Sequence, residues 1–293
     1  MKPEQPTRED HGKYLNIRFP YAYNIIGAVE DAKDAVQEAL MKHLCGPQKE
    51  IADERNYLIR SVINLAINVK ARNKKLRRDD LWLPEPIATG DAPDKNLHLN
   101  EVLSYSLMVL MERLNARERA VFILRESFDY THTEIADILS ISEEHSRKLL
   151  SRAKASLYKP GPKQLRIGEG HERDVLMRFM SAIRERDTMQ LEAVVAEDIR
   201  FYADGGGKVP LVAKTSHGAA NVAALQIKVY HSFLTKARIV YTLINHQPAL
   251  LSFVNERLLA CQVFDVHAES GSILQINAVL DPDKLKSLGQ QYS

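Results

Sequence analysis

Cysteine is scarce in this chain of 293 residues: Cys45 and Cys261 are the only two, and they show no metal-ligand spacing. A disulfide-stapled scaffold and a thiolate metal centre are thereby excluded, and a reduced, cytoplasmic setting is expected. Long apolar runs are missing too. The longest uncharged stretch of the C-terminal half, between Arg238 and Glu256, is interrupted by Asn245, His246, Gln247 and Pro248, so it makes no membrane span. The first residues, MKPEQPTREDHGKY, are too polar for a signal peptide. No repeat or low-complexity tract occurs. The Gly205–Gly207 triplet, although able to cradle an anion, lacks the continuation of a phosphate-binding loop. Nothing calls for a metal or a cofactor.

Net charge is also small, at +2, and by itself announces no polyanionic partner. Its distribution does. Arg55 to Arg78 holds eight Lys/Arg and no acid, and His145 to Arg166 holds seven and no acid. From Gly170 onward 13 basic residues balance 13 acidic ones. Two basic helical stretches before a neutral second half imply that the first half meets nucleic acid.

The 45% hydrophobic content suits two or three globular domains. Up to residue 78 the apolar positions recur at helical spacing, as in Val29, Ala32, Val36, Ala39 and in Leu58, Val62, Leu65, Val69. Residues 79–100 form a linker broken by Pro84, Pro86, Gly90 and Pro93. Helical periodicity resumes over 101–159, and a second linker covers 160–170, within KPGPKQLRIGEG. Residues 171–293 open with an amphipathic helix (Val175, Leu176, Phe179, Met180, Ile183) and a shorter one at Leu191–Val195. Strand-like runs then dominate: IRFYA, ARIVYTLIN, ALLSFV, RLLACQVFDV and SILQINAVL, with a helical stretch near Asn221 to Phe233. Helices followed by a run of antiparallel strands predict an α+β domain.

The sharpest local pattern is YTHTEIADILSISEEHSRKLLSRAKASL, from Tyr130 to Leu157. Thr131 and Glu134 fit a capping box, and Ser142 fits the N-cap of a second helix. Leu149, Leu150, Ala153 and Leu157 face inward there. Glu144, His145, Arg147, Lys148, Ser151 and Arg152 face outward, the kind of surface that a major groove accepts. The alternative is an ordinary helical hairpin with a charged outer face.

With its lead-in MERLNARERAVFILRESFD, this segment resembles region 4 of sigma factors, which reads the promoter −35 element. Ser140 stands where many members have Gly. PYAYNIIGAVEDAKDAVQEALMK resembles sigma region 2, and the resemblance implies that Asp31, Asp34, Gln37 and Glu38 contact the RNA polymerase clamp. Spacings of three and four put these four on one helical face. ERNYLIRSVINLAINVKARNKKLRR resembles the part that holds the −10 element. Its candidates are Tyr57, Arg60, Asn64, Asn68, Arg72 and Lys75, side chains able to hydrogen-bond or stack on unstacked bases.

Three further motifs, WLPEPI (Trp82, Leu83, Pro84, Glu85, Pro86, Ile87), DGGGK (Asp204, Gly205, Gly206, Gly207, Lys208) and DPDKL (Asp281, Pro282, Asp283, Lys284, Leu285), resemble the extracytoplasmic-function sigma branch with a fused SnoaL-like domain. Some members have Asn where Asp281 stands. The implied architecture is two all-α sigma domains plus a C-terminal α+β cone, related to nuclear transport factor 2. The implied function is transcription initiation with core RNA polymerase and promoter DNA as partners, without catalysis. The third domain would regulate the other two and take a small-molecule ligand in its pocket. An exposed Trp gains nothing in a free linker, so the Trp82–Ile87 segment is expected to dock on the third domain near Asp204–Lys208 or Asp281–Leu285. Two other readings stay open. One is a SnoaL-like small-molecule enzyme using Asp204, His217, His246, Asp265 or His267 for proton transfer. The other is a ligand-responsive DNA-binding regulator acting without polymerase.

Overall fold

The computed structural model describes residues 8–45, 53–76, 81–90, 99–157 and 169–292. They fall into two compact units. One takes the described residues within 1–78, 94–103 and 107–161; the other takes those within 79–93, 104–106 and 162–293. The first linker is therefore divided, its WLPEPI part belonging with the C-terminal unit. The second linker lies almost wholly outside the described residues.

The first unit opens with α1 (Arg8–Ile26), α2 (Val29–Cys45) and α3 (Glu54–Leu76). Gly27, at φ 83°, ends α1 in the left-handed conformation that glycine adopts without strain. Its N–H donates to the Tyr23 carbonyl. The stripe predicted on α2, Val29, Ala32, Val36 and Ala39, is buried; on α3 Leu58, Val62 and Ala66 are buried, whereas Leu65 and Val69 are only partly so, and Ile63 completes the buried face. Then come α4 (Tyr105–Leu110), whose first two residues belong with the other unit, α5 (Ala116–Glu126), α6 (His132–Leu139) and α7 (Glu143–Leu157). Capping boxes start α5, at Asn115 with Glu118, and α6, at Thr131 with Glu134. Hydrogen bonds from the Thr131 side chain and backbone hold the Glu134 carboxyl below the usual carboxylate range.

A buried charge network joins the two helical groups of this unit. Lys70 and Arg119, 1% and 0% exposed, share the carboxylate of Glu112. Two cations on one carboxylate would leave a surplus positive charge. The C-terminal end of α1 balances it: the Lys70 ammonium donates to the Ile26 carbonyl at 3.0 Å, and Arg119 Nε to the Asn24 carbonyl at 2.8 Å. Cations are stabilised at that end of a helix. The Asn24 side chain in turn donates to the Glu101 carbonyl at 2.9 Å and accepts from the Leu103 N–H at 3.1 Å. Close by, Tyr21 stacks on Phe128 with centroids 4.0 Å apart. Burial pushes the Tyr21 hydroxyl well above its ordinary range.

The second unit contains α8 (Glu169–Glu185), α9 (Thr188–Val194), β1 (Val195–Asp204), β2 (Thr215–His217), α10 (Ala219–Val229), β3 (Arg238–Ile244), β4 (Gln247–Val254), β5 (Arg257–Val266), β6 (Ile273–Val279) and α11 (Pro282–Gln291). One π-turn, Tyr230–Leu234, follows α10. The strands form one sheet in the order β2-β1-β6-β5-β4-β3. Hairpin turns with two positive-φ residues, Asn245–His246 and Asn255–Glu256, suit the right-handed strand twist. The expectation of antiparallel strands throughout needs correction: β1 and β6 run parallel. After β2, α10 and its π-turn lead the chain to β3 at the far edge, and three antiparallel pairings then bring β6 beside β1. The apolar core lies on the face covered by α8, α9 and α10, with Phe179, Ile183, Leu191, Phe201, Phe264 and Ile276 at its centre.

Removing Glu112 would leave Lys70 and Arg119 buried without their shared counter-ion. Glu112→Ala is expected to destabilise the helical unit by about 3–5 kcal/mol, measured by urea denaturation followed by far-ultraviolet circular dichroism.

Candidate nucleic-acid interface and the docked linker

The helix-turn-helix is α6, a turn and α7. Ser140 closes α6 in the left-handed conformation, φ 53° and ψ 51°. Ser142 caps α7 by accepting the His145 N–H at 3.1 Å. Two side-chain bonds fix the helix pair: His132 Nδ1 with the Ser146 hydroxyl at 2.9 Å, and the Thr133 hydroxyl donating to Glu143 at 2.8 Å. Desolvation is the leading cause of a lowered His132 pKa, which favours the neutral ring in this contact. The bonds from Thr133 and then Arg147 hold the Glu143 carboxyl below its usual range. Glu144, His145, Arg147, Lys148, Ser151 and Arg152 are all exposed on α7. Arg147 pairs with Glu143 at 2.8 Å and Lys148 with Glu144 at 2.7 Å, one turn apart. Such exposed pairs are weak and yield readily to a phosphate.

On α2, Asp34, Gln37 and Glu38 are exposed, whereas Asp31 is partly buried and accepts from Asn73 of α3 at 2.7 Å. The four predicted residues thus form a face of three plus one tied inward. On α3, Tyr57, Asn68, Arg72 and Lys75 are exposed. Arg60 and Asn64 are engaged within the unit. The Arg60 guanidinium donates to the Ser140 hydroxyl at 2.8 Å, and the Asn64 amide donates to the Ile138 carbonyl at 3.0 Å.

In the second unit the WLPEPI segment lies against the sheet. Leu83 is 0% exposed; its N–H donates to Asp204 Oδ2 at 2.8 Å and its carbonyl accepts from Lys284 Nζ at 2.6 Å. Lys284 and Asp204 pair directly at 2.6 Å, and both are buried. The same ammonium sits 4.2 Å from the centroid of the Trp82 ring, a cation–π contact. Tyr105 donates to the Pro84 carbonyl at 2.6 Å. Ile87 exchanges two bonds with Asn245: its N–H to Oδ1 at 3.0 Å, and its carbonyl from the Asn245 N–H at 2.9 Å. Thr89 N–H donates to the Leu243 carbonyl at 2.8 Å. The linker thereby pairs with the end of β3, the open edge of the sheet. Glu85 is buried.

The glycine triplet cradles the chain's own Asp281. A Cβ on Gly206 would stand 2.2 Å from Asp281 Oδ2, and Gly206 has φ +62°. The loop is closed by the Lys208 and Val209 N–H groups on the Gly205 carbonyl. Asp281 caps α11 by accepting the Asp283 N–H at 3.1 Å. Lys208 pairs with Asp283, and that hydrogen bond raises the pKa of its ammonium.

The five candidates for proton transfer are dispersed. Asp204 is held in the linker contact, and Asp265 accepts from Gln247 Nε2 at 3.4 Å. His267 Nδ1 accepts from the Ser270 N–H at 3.3 Å. His246 sits in a hairpin turn, and His217 in β2 at the sheet edge. None lines the pocket of Met180, Ile183, Gln226, Tyr230, Leu250 and Gln262, which encloses about 10 Å³, while Asp204 alone of the five lines an open pocket of about 500 Å³ with Leu81, Val209 and Leu211. The first has scarcely room for one water. Gln262 donates to Gln226 there at 3.0 Å. Among the described residues no group of three or more His, Cys, Asp or Glu can hold a metal, and no helix is long and apolar enough to cross a membrane.

Two helical segments carrying a helix-turn-helix and basic outer faces, followed by an α+β cone, define a sigma factor with a SnoaL-like extension. Residues 104–157 match the family model of sigma-70, region 4. SigJ, an extracytoplasmic-function RNA polymerase sigma factor of Mycobacterium tuberculosis, is 34% identical over 208 residues, 69% of this chain and 66% of that relative's length. The probable sigma factor SigI of the same species is 28% identical over 292 residues, 95% of this chain and 93% of the relative. The crystal structure of M. tuberculosis SigJ superposes with a TM-score of 0.75 at 25% identity, covering 96% of this chain and 98% of that one. The chain belongs to the extracytoplasmic-function sigma factors, and is a transcription initiation factor rather than an enzyme.

Because Gly206 has no room for a side chain, Gly206→Ala is expected to cost about 2–4 kcal/mol through overlap and left-handed strain. Trp82 is the chain's one tryptophan, so its fluorescence reports on the linker contact directly. The variant should shift its emission to the red and lower its unfolding midpoint.

Proposed function

We propose that this sigma factor acts in the cytoplasm by joining core RNA polymerase to promoter DNA, and that its C-terminal domain sets its activity in cis through the docked linker. In this reading Asp34, Gln37 and Glu38, with Asp31 behind them, meet the polymerase. Tyr57, Arg60, Asn64, Asn68, Arg72 and Lys75 meet the −10 element. The exposed face of α7 meets the −35 element, Arg147 and Lys148 at base edges or phosphates and Arg152 at phosphates.

The observation that carries the regulatory part is the fixing of Leu83 between Asp204 and Lys284. The linker joins the parts assigned to the two promoter elements. A segment held by its backbone at Leu83, Ile87 and Thr89 cannot extend freely, so docking limits the separations those parts can reach. Trp82, Pro84, Glu85 and Pro86 from the linker, Gly205, Gly207 and Lys208 from the loop, and Pro282, Asp283 and Leu285 from the tail would support this contact. A small molecule entering the pocket beside Met180 and Tyr230 would have to displace the Gln226–Gln262 pair, because only about 10 Å³ is open there.

A reconstituted transcription assay with core polymerase tests both parts. Replacing Asp34 and Glu38 by Lys should weaken the complex with core at least tenfold while leaving the helical circular dichroism intact; unaltered binding would remove the polymerase face. Trp82→Ser with Leu83→Ser should change transcript yield severalfold in either direction with each unit still folded. Unchanged yield would remove the regulatory role of the dock.

A further inference from the structure

Two of the side chains assigned to the −10 element are already occupied, and the group that occupies one of them is unusual for its place. Ser140 ends α6 with positive φ and ψ, a conformation in which glycine is favoured because it has no Cβ. Serine gains no local advantage from that backbone. What it adds is a hydroxyl, and this hydroxyl accepts the Arg60 guanidinium at 2.8 Å. One turn along α3, the Asn64 amide donates to the Ile138 carbonyl at 3.0 Å. That carbonyl belongs to the last turn of α6, whose carbonyls lack helical partners and attract positive charge. Arg60 and Asn64 together therefore cap the C-terminal end of the first helix of the helix-turn-helix.

We propose that Ser140 is a latch: its hydroxyl, with the Ile138 carbonyl, holds Arg60 and Asn64 on the helix-turn-helix, so that promoter strand and helix end compete for the same two side chains. The proposal rests on the assignment of Arg60 and Asn64 to the −10 element. A guanidinium or amide committed to a protein oxygen cannot at once satisfy a base or phosphate oxygen, and separating the two groups costs those bonds. Within the helical unit the latch lies at the rim, where Arg60 and Ser140 are exposed, while the Lys70–Glu112–Arg119 network lies deep. The rim bonds are the ones a nucleic acid can reach first.

The test uses the full chain. Cys45 is exposed, and Cys261 is buried with its thiol pKa pushed up by desolvation, so the natural cysteines offer one labelling site, on α2. Ser156→Cys adds an exposed site on α7. Energy transfer between dyes at these two positions reports separation of the two helical groups, and fluorescence anisotropy with a short random-sequence single-stranded DNA pool reports strand binding. Ser140→Gly and Ser140→Ala both delete the hydroxyl. Both should shift the transfer distribution toward lower efficiency and raise strand affinity by about three- to tenfold, the loss of one hydrogen bond to a charged donor at a partly screened site. Their effects on thermal stability should differ, because Gly relaxes the left-handed cap and Ala does not. That difference separates the latch from a simple effect of cap strain.

Unchanged transfer in both variants overturns the latch. Opening in both without a gain in strand affinity overturns the competition, and Arg60→Ala then locates the failure: strand affinity unaltered by that change shows that the −10 assignment itself is wrong.

Discussion

The ammonium of Lys284 is the constraint on which the C-terminal unit turns. A buried cation is tolerated only when its donors are filled by well-placed acceptors. Here the carboxylate comes from the end of β1, a carbonyl from Leu83 of the linker, and an aromatic face from Trp82. Three distant parts of the chain are brought together around one charge. If the linker leaves, Lys284 loses two of these three contacts, and Asp204 loses the Leu83 N–H. The dock is therefore more than apolar burial. It is the condition under which a Lys–Asp pair can lie inside the protein at acceptable cost.

The DGGGK and DPDKL motifs acquire a physical meaning from this contact. Asp204 supplies the carboxylate, and Lys284 the cation. Gly206 clears the space that lets Asp281 approach, and Asp281 starts the helix on which Lys284 rides. The Asp204 carbonyl accepts the N–H groups of Leu280 and Asp281, which ties the loop to the tail by backbone as well. A phosphate or other anion is not needed to explain the glycines, since the anion beside them is part of the chain.

Much of this was legible in the sequence. Helical spacing identifies the buried stripe of α2 and part of that of α3, where Leu65 and Val69 are only half-buried; the capping box at Thr131 marks the start of α6, and five strand-like runs correspond to β1 and β3–β6. Three features were not read. β2 is three residues long, too short for alternation to register. The direction of β1 against β6 depends on how the chain crosses the sheet, which no local pattern encodes. α11 does carry a signal, an Asp N-cap followed by Pro at the first helical position, but it coincides with the DPDKL motif, whose resemblance says nothing of a helix start. The candidate site was legible as a set of residue types at helical spacing. What spacing could not convey is that Arg60 and Asn64 would find partners on α6, because that depends on the packing of segments more than 70 residues apart.

The same distinction governs how regulation can work in such a chain. The linker is held at both ends: by Asp204, Lys284 and Asn245 in one unit, and by the Asn24 clamp on Glu101 and Leu103 in the other. Neither hold alone transmits anything. Two sites are coupled only when a change at one alters the free-energy difference between states at the other. Under the proposed regulation an anchored linker meets that condition when release of Leu83 lifts a restraint on the helical unit and so increases the conformations open to it. Coupling of this kind is entropic and needs no rigid pathway between the sites. It also sets a ceiling. Under the proposed regulation the dock can bias the helical unit by no more than its own bonds at Leu83, Ile87 and Thr89 are worth, and the contacts of Arg60, Asn64, Lys70 and Arg119 oppose opening from within that unit.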